Sequence, residues 1–435
     1  GNEIVNRAIE EGVDIIGLSG LITPSLEEMV KVATEMQERN LNIPLLIGGA
    51  TTSKVHTAVK ITPNYEGPVI YVPDASRAVT VAEKMLGGDS KAYHDTVLEE
   101  YERIRAHHEL HNATKRMVPI EMARKNKLML DFSKDNIVKP TQLGIFDGKI
   151  DVETLIPYID WSPFFRSWDL HGKYPEILTD SVVGVEATKL LDDARMCLSD
   201  GIKNGWFHPT YVYGIFNANA VGDDIEIYDE TKQQVLHRSI GLRQQIEKTS
   251  GQFNLCLSDY IAPKESGIED YIGCFAVTSG DVTKICRQFE TAHDDYTSIM
   301  IKAVADRLAE ALAEWLHERV RHTHWGYDKT PLKNEDLIAE KYIGIRPAPG
   351  YPACPDHYEK LGIFNVLNAT ERIGVSLTES LAMHPASSVS GWYFAHPSAK
   401  YFGITAILED QFLSVCERRN VNKDEHIAWF PFMKK

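Results

Sequence analysis

The stretch GIRPAPGYPACPDH, residues 344–357, contains the side chain best suited to bind an anion. Arg346 presents a planar guanidinium whose parallel N–H groups match a carboxylate. Four prolines follow within ten residues, and each fixes φ and removes a backbone donor. Gly350 allows close approach to the backbone just before Tyr351. The stretch is therefore stiff enough to hold a ligand, although a loop that only packs against its surroundings explains the composition equally well.

A second group of polar candidates lies on the predicted helix YTSIMIKAVADRLAEALAEWLHERV. Asp306, Glu310 and Glu314 recur every four residues on one face, which is typical of a solvated flank. The opposite face supplies a predicted buried stripe: Met300, Val304, Leu308, Leu312 and Trp315. The favoured interpretation of the three carboxylates is therefore a solvated helix face.

Small residues follow three short apolar runs near the N-terminus. Ser19 follows DIIGL, Gly48 and Gly49 follow IPLLI, and Ala75 comes shortly after PVIYV. In doubly wound sheets, ligands bind beyond the carboxyl ends of the strands, and these ends offer hydroxyls and bare backbone. Tight connections between strand and helix would also explain the small residues. No Walker or G-x-G-x-x-G pattern is present, which argues against a nucleotide.

The elements that must position these residues form two unlike regions. Up to about residue 87, β-branched runs alternate with helical segments, which predicts a partial doubly wound α/β parallel sheet of Rossmann-like type. A charged helix over 88–111 leads to a connecting arm, where a D-G pair predicts a turn. Beyond residue 150, long helices and short strand-like runs such as VSGWYFAHP and KYFGITAI predict an α+β domain with an antiparallel sheet.

Composition excludes several classes of protein. The net charge of −16 argues against a broad surface for nucleic acid or an anionic membrane. No apolar run approaches the ~20 residues of a membrane span. The six scattered cysteines show no paired spacing, and the His107/His111 and His322/His324 pairs lack partner ligands, so we expect neither disulfides nor a metal site. A cytoplasmic protein fits this composition best.

The first region resembles the cobalamin-dependent methionine synthases. S-G-L followed by G-G is similar to the second and third parts of the signature D-x-H-x-x-G, S-x-L, GG, and IPLLIGGATTSK is closely similar to that family. The first part, which supplies the axial histidine on cobalt, is absent, so the domain is expected to be incomplete. The resemblance implies that the following residues line the slot for the cobalamin tail: Ser19, Leu21, Thr23, Gly48, Gly49 and Ala75.

Residues 111–435 resemble the C-terminal reactivation domain of the same family, which binds S-adenosylmethionine. Stretches that carry the likeness are YIDWSPFF, VGDDIEIY, ADRLAEALAEWLHERVR, GIRPAPGYPACPDH and SVSGWYF. By this resemblance Arg346 faces the carboxylate of the ligand and Asp160 its ammonium. The full implied set of ligand contacts is Asp160, Glu310, Glu340, Arg346, Ala348, Gly350, Tyr351, Tyr401 and Phe402.

The resemblance also implies an activity. The family transfers a methyl group from 5-methyltetrahydrofolate to homocysteine through methylcobalamin, and this portion would carry reductive reactivation of cob(II)alamin with S-adenosylmethionine as methyl donor. The protein would position the reactants, with no general acid or base among the named residues. A flavodoxin-like protein or flavoprotein reductase would donate the electron. The homocysteine and folate modules, with a zinc ion, would belong to an N-terminal portion outside this sequence.

The expected domains are a partial cobalamin-binding domain at 1–95, a helical linker at 96–110 and an activation domain at 111–435. Two alternatives belong to other classes. A cobalamin-dependent mutase shares the first kind of domain but has no counterpart of residues 111–435. A non-catalytic module that only binds S-adenosylmethionine and docks an electron donor would describe this portion taken alone.

Overall fold

The structure is a computed structural model that describes residues 2–20, 24–49, 51–73, 75–88, 90–113, 116–133 and 136–434. The chain divides into two compact units. The first contains Gly1–Pro119, Gln245–Thr249 and Leu408–Lys435, and the second contains Ile120–Gln244 and Ser250–Ile407. No helix among the described residues combines the length and apolar character needed to cross a membrane. The domain boundaries expected from the sequence stay a prediction.

The first unit begins with the predicted alternation of helices and strands. Its elements are α1 (Asn2–Glu11), β1 (Ile16–Ser19), α2 (Pro24–Glu38), β2 (Leu45–Gly48), α3 (Lys54–His56), β3 (Val69–Tyr71), α4 (Ala75–Leu86) and α5 (Ser90–Ala113). The three strands form a parallel sheet in the order β1-β2-β3. Leu45 and Ile47 are fully buried, as expected for a central strand covered by helices. The sheet agrees with the predicted partial α/β domain, although three strands indicate a Rossmann-like fold only weakly.

Helix α5 packs on this unit through an aromatic side chain. Tyr101 is almost fully buried, and its hydroxyl accepts a hydrogen bond of 2.8 Å from the backbone N–H of Tyr71 at the end of β3. Burial raises the pKa of this phenol, so it stays protonated. The charged helix predicted over 88–111 is therefore present, and part of it is fixed to the edge of the sheet.

The second unit is built on a six-stranded antiparallel sheet. Its strands are β4 (Gly144–Lys149), β5 (Thr210–Val221), β6 (Asp224–Tyr228), β7 (Val235–Ser239), β8 (Asp270–Thr278) and, after the small pair β9 (Ser376–Leu377) and β10 (Met383–His384), β11 (Ser388–Tyr393). The order β11-β8-β5-β6-β7 places β8 on one side of β5, and the other side of β5 is shared by β4 and β6. This arrangement confirms the predicted antiparallel sheet.

Helices cover both faces of this sheet. The helices of this unit are α6 (Ile120–Lys125), α7 (Val152–Leu155), α8 (Ser162–Ser167), α9 (Gly184–Asn204), α10 (Thr283–Thr291), α11 (Asp295–Arg319), α12 (Asn334–Ile338), α13 (Glu359–Leu367) and α14 (Ala369–Ile373). Successive residues of β5 enter opposite cores, because side chains alternate along a strand. Ile215 packs in the core that contains Leu191 of α9 and Leu308 of α11, whereas Phe216 packs with Ile363 of α13. The stripe predicted on α11 is buried as expected.

Two local predictions were wrong. The D-G pair Asp147-Gly148 lies inside strand β4 and not in a turn, because the segment pairs with Thr210–Ile215 of β5 over its whole length. The run KYFGITAI is not a strand over most of its length. Residues 401–406 have no regular structure, and only Ile407 begins the short strand β12 (Ile407–Leu408).

The chain then returns to the first unit with α15 (Glu409–Arg419), α16 (Lys423–His426) and β13 (Met433–Lys434). The side chain of Gln245 holds the start of this segment by hydrogen bonds within the first unit. Its amide oxygen accepts a hydrogen bond of 2.8 Å from the backbone N–H of Leu408, and its amide nitrogen donates one of 2.9 Å to Asp410. The same nitrogen donates to the carbonyl of Val118 at 3.1 Å. All six cysteines of the chain are free and buried.

Candidate functional site

The proline-rich loop is held in place by the end of strand β11. Ile345 and Phe394 exchange two backbone hydrogen bonds of 3.0 Å, and the carbonyl of Pro347 accepts one of 2.9 Å from the backbone N–H of Trp392. A Cβ at Gly391 would lie 2.9 Å from that carbonyl oxygen, so only glycine allows this approach. Arg346 therefore projects from a short stretch of backbone that is fixed on both sides.

The next turn of the loop is equally constrained. The N–H of Gly350 donates to the carbonyl of Cys354 at 2.7 Å, and the N–H of Cys354 donates to the carbonyl of Tyr351 at 2.9 Å. The carbonyl of Ala348 accepts from Tyr351 at 3.2 Å. Gly350 has a φ of +97°, which a residue with a side chain rarely adopts. The ring of Tyr351 is left 62% exposed, available to a ligand.

The irregular segment 400–404 braces the loop from another side. The hydroxyl of Tyr401 accepts a hydrogen bond of 3.0 Å from the backbone N–H of Arg346, and the N–H of Ile404 donates to the carbonyl of Pro352 at 2.8 Å. Phe402 packs against the core cluster that contains Tyr260, and the centroids of the Phe402 and Tyr260 rings are 6.4 Å apart. Burial raises the pKa of the Tyr401 phenol. Tyr401 thus lies beside Arg346, and its contact with a ligand stays a prediction.

A carboxylate of helix α11 is the direct partner of Arg346. Oε2 of Glu314 lies 2.6 Å from Nη2 of Arg346, and the Glu314 residue is only 7% exposed. Burial alone would lower the pKa of Arg346, but the Glu314 carboxylate raises it above its usual value, so the arginine stays charged. The interpretation of Glu314 as part of a solvated flank was therefore wrong. Helix α11 is buried on all sides from Ala311 to His317, which the weakly charged run ALAEWLH could have indicated.

Several buried polar atoms around this pair have no hydrogen-bond partner among the described residues. They are Nη1 of Arg346, Oε1 of Glu314, the hydroxyls of Tyr342 and Tyr393, and Nδ1 of His317. Buried polar groups are normally paired, so such a cluster marks a place where a ligand, water or a small rearrangement completes the bonding.

Aromatic rings pack together next to the Arg346–Glu314 pair. The ring of His317 stacks parallel to Tyr393 at 5.1 Å and meets Tyr342 edge-on at 4.8 Å. The guanidinium of Arg321 lies over the ring of Tyr342, 4.4 Å from its centroid. Burial, then Arg346 and Arg321, lower the pKa of His317 well below its usual value. The imidazole is therefore neutral, which lets it lie beside two guanidinium groups.

Two further predicted residues lie within electrostatic range of Arg346. The charge of Glu310, one turn before Glu314 on α11, acts on Arg346 and on the exposed Tyr351. Glu340 follows α12; burial raises the pKa of its carboxyl, Arg346 lowers it and Glu314 raises it. The charge of Arg346 thus interacts with three carboxylate side chains, and the excess of negative charge favours a ligand that carries a positive group.

Asp160 is placed differently. Its Oδ1 accepts a hydrogen bond of 2.9 Å from the backbone N–H of Ser162, at the start of α8. Within the described part of the chain, no hydrogen bond or ion pair joins Asp160 to Arg346 or Glu314. Its second carboxylate oxygen makes no hydrogen bond to the described residues, and its contact with a ligand stays a prediction.

A cleft of about 540 Å³ lies at the carboxyl ends of the strands in the first unit. Ser19, Gly48 and Gly49 line it together with Thr52 and Tyr71, and the binding of cobalamin there stays a prediction. A Cβ at Gly49, where φ is +105°, would lie 2.4 Å from the backbone of Gly20, so the two loops can meet only through glycine.

Three of the predicted cobalamin contacts cannot be placed in this cleft. Leu21 and Thr23 lie outside the described residues, and only the backbone of Ala75 is described, at the start of α4. The side chains of His107 and His111 are likewise not described. Among the side chains that are described, no group of three or more His, Cys, Asp or Glu residues could hold a metal ion.

The second unit, with its antiparallel sheet, long helices and arginine-bearing loop, supplies most of the region that matches known proteins. The family model described as vitamin B12 dependent methionine synthase, activation domain, matches residues 151–420, more than half of the chain. A crystal structure of the MetH reactivation domain bound to AdoHcy matches with 50% sequence identity and a TM-score of 0.71, covering 73% of this chain and 99% of that one. The chain belongs to the family of vitamin B12-dependent methionine synthases and carries their activation domain.

Proposed function

We propose that the second unit binds S-adenosylmethionine at the Arg346 loop and uses its methyl group to restore an inactive cobalamin. The Arg346–Glu314 pair at the head of the fixed loop carries this proposal, because it combines a charged donor with polar atoms that lack partners. The related reactivation domain was crystallised with AdoHcy, the demethylated product of that ligand. At 50% identity, the same class of ligand is the natural choice for this chain.

Each part of the site has a task in this proposal. Arg346 donates to the carboxylate of the ligand, and Glu314 fixes the guanidinium so that no rotamer search is needed on binding. Glu310 and Glu340 place negative charge near the sulfonium. Tyr351 and Tyr401 supply aromatic faces for the adenosyl part or for the cation. Asp160 would accept from the ammonium through its remaining oxygen.

The proposed reaction is a one-electron reduction coupled to methyl transfer. Bound cobalamin would supply the cobalt that takes up the electron and the methyl group of S-adenosylmethionine, and S-adenosylhomocysteine would be released. The electron would come from a flavodoxin-like protein or a flavoprotein reductase. Cobalt and sulfonium supply the chemistry, so the protein needs no general acid or base at the site.

The cleft of the first unit would hold the tail of cobalamin. Gly48 and Gly49 leave the backbone open, and Ser19 and Thr52 offer hydroxyls along the cleft. In the complete reaction, the methyl group of 5-methyltetrahydrofolate would pass to homocysteine through this cofactor. That activity would need the homocysteine and folate modules, with their zinc ion, and we propose that it takes place in the cytoplasm.

Calorimetric titration with S-adenosylmethionine tests the proposal. The wild-type chain, Arg346→Lys and Asp160→Asn are compared with Arg238→Lys, a control in which a surface arginine paired with Asp224 is changed. Arg346→Lys keeps the charge but loses the planar fork, so we expect its affinity to fall by about 1.5–3 kcal/mol, as for a hydrogen bond to a charged group. Wild-type affinity in Arg346→Lys would place the ligand elsewhere.

A further inference from the structure

The turn of the proline-rich loop rests on the ring of a histidine. A Cβ built at Gly350 would lie 2.3 Å from Cε1 of His357 and 2.8 Å from its Nδ1. The Cε1 edge of the imidazole therefore lies directly against the residue that turns the loop. The N–H of Gly350 is bonded to the carbonyl of Cys354 at 2.7 Å, so the turn that meets the ring is itself closed by a hydrogen bond.

A buried lysine holds this histidine. Nζ of Lys360 lies 2.9 Å from Nδ1 of His357 and donates a second hydrogen bond of 2.9 Å to the carbonyl of Leu381. Lys360 is only 6% exposed, which is rare for a lysine. An ammonium only donates, so Nδ1 of His357 accepts and the ring proton is on Nε2. The lysine thus fixes both the position and the tautomer of the ring.

The neighbouring residues anchor the lysine in turn. Lys360 is in the first turn of α13, and the preceding Glu359 accepts hydrogen bonds from the hydroxyl of Ser239 at 2.6 Å and the N–H of Ile240 at 3.2 Å. Burial lowers the pKa of Lys360 to about 8 and that of His357 to about 4. Near neutral pH the pair is therefore one cation and one neutral ring, so that the two groups attract.

We propose that Lys360 and His357 are positioning residues for ligand binding: through Gly350 they fix the turn that follows Arg346, so that the loop is preorganised before the ligand arrives. This inference rests on the proposed function, since it assigns these residues to the same site. Neither side chain needs to touch the ligand. Their effect is on affinity, because a loop that must be ordered on binding loses free energy to that ordering.

Titration of the full chain with S-adenosylhomocysteine tests this inference. Lys360→Met removes the donor and His357→Leu removes the acceptor. His357→Asn keeps an acceptor near the Nδ1 position but has no ring. Lys264→Met, at an exposed lysine paired with Glu226, is the control. We expect Kd to rise about tenfold in Lys360→Met and His357→Leu, to recover partly in His357→Asn and to stay unchanged in the control.

Thermal unfolding of the same variants separates positioning from mere stability. Variants that stay folded at the titration temperature and bind weakly support the inference. Folded Lys360→Met and His357→Leu chains that bind like the wild type would overturn it, and His357→Leu alone decides the matter if Lys360→Met does not fold. A wild-type chain that does not bind S-adenosylhomocysteine would overturn the proposed function itself, and this inference with it.

Discussion

Glu314 and Arg346 form an ion pair of 2.6 Å that joins the buried C-terminal part of helix α11 to the head of the proline-rich loop. Loss of the glutamate charge would leave a largely buried guanidinium without its counter-ion. We therefore expect Glu314→Gln to lower the free energy of unfolding by about 3 kcal/mol, measured by urea denaturation. Asp336→Asn, which breaks the surface pair with Lys341, is the control and should change it by less than about 1 kcal/mol. Equal effects of the two changes would contradict the buried character of the Glu314–Arg346 pair.

Gly350→Ala should harm the loop more than an alanine at another glycine of positive φ. Gly374 has a φ of +72° and open space around a new Cβ, whereas a Cβ at Gly350 meets His357. Gly374→Ala therefore reports the backbone strain alone, about 1–2 kcal/mol. We expect Gly350→Ala to show this strain as well and, in addition, to lower the affinity for S-adenosylhomocysteine at least tenfold in a calorimetric titration. Similar affinities of the two variants would show that the turn tolerates a side chain.

The cleft of the first unit allows the same kind of comparison. Gly49→Ala would force the loop away from the backbone of Gly20, but Gly12→Ala, at a φ of +60°, meets nothing within 4 Å. We expect Gly49→Ala to weaken the retention of added cobalamin during gel filtration and Gly12→Ala to leave it unchanged. Equal retention by both variants would remove the glycine loop from the cobalamin site.

The pH dependence of stability should report on His357. Its pKa is about 4 in the folded chain and near 6.5 when unfolded, so the unfolded state binds more protons between these values. The free energy of unfolding must then decrease as the pH falls through this window. His357→Leu lacks this contribution, so the difference in stability between wild type and variant should shrink from pH 7 to pH 4.5. Parallel curves in urea denaturation across this range would contradict the assignment.

The sequence predicted the parts of the fold whose hydrophobic period is clear. Alternation of apolar runs and helices gave the parallel sheet of the first unit, and the stripe Met300 to Trp315 gave the buried face of α11. The sequence analysis did not predict the central strands β5 and β8. Both faces of that sheet are covered, so apolar and polar residues do not alternate along these strands. The pair Asp147-Gly148 predicted a turn because of its local preference. In the structure, pairing of this segment with the distant strand β5 outweighs that preference.

The site was predictable only in its local part. The prolines and Arg346 indicated a stiff, anion-binding loop, and the structure confirms that the loop is fixed. Glu314 was missed because a periodic carboxylate on a helix is usually solvated, and only the tertiary packing of α11 shows that this one is buried. His357 and Lys360 were missed for the same reason, since no pattern predicts which lysine is buried.

The most direct test of the account compares two ligands on two proteins. S-adenosylmethionine and its decarboxylated analogue are titrated against the wild-type chain and against Arg346→Ala. If Arg346 binds the ligand carboxylate, the wild type prefers the complete ligand by at least tenfold and Arg346→Ala loses that preference. A preference that survives unchanged in Arg346→Ala would show that another group reads the carboxylate and would contradict the central claim.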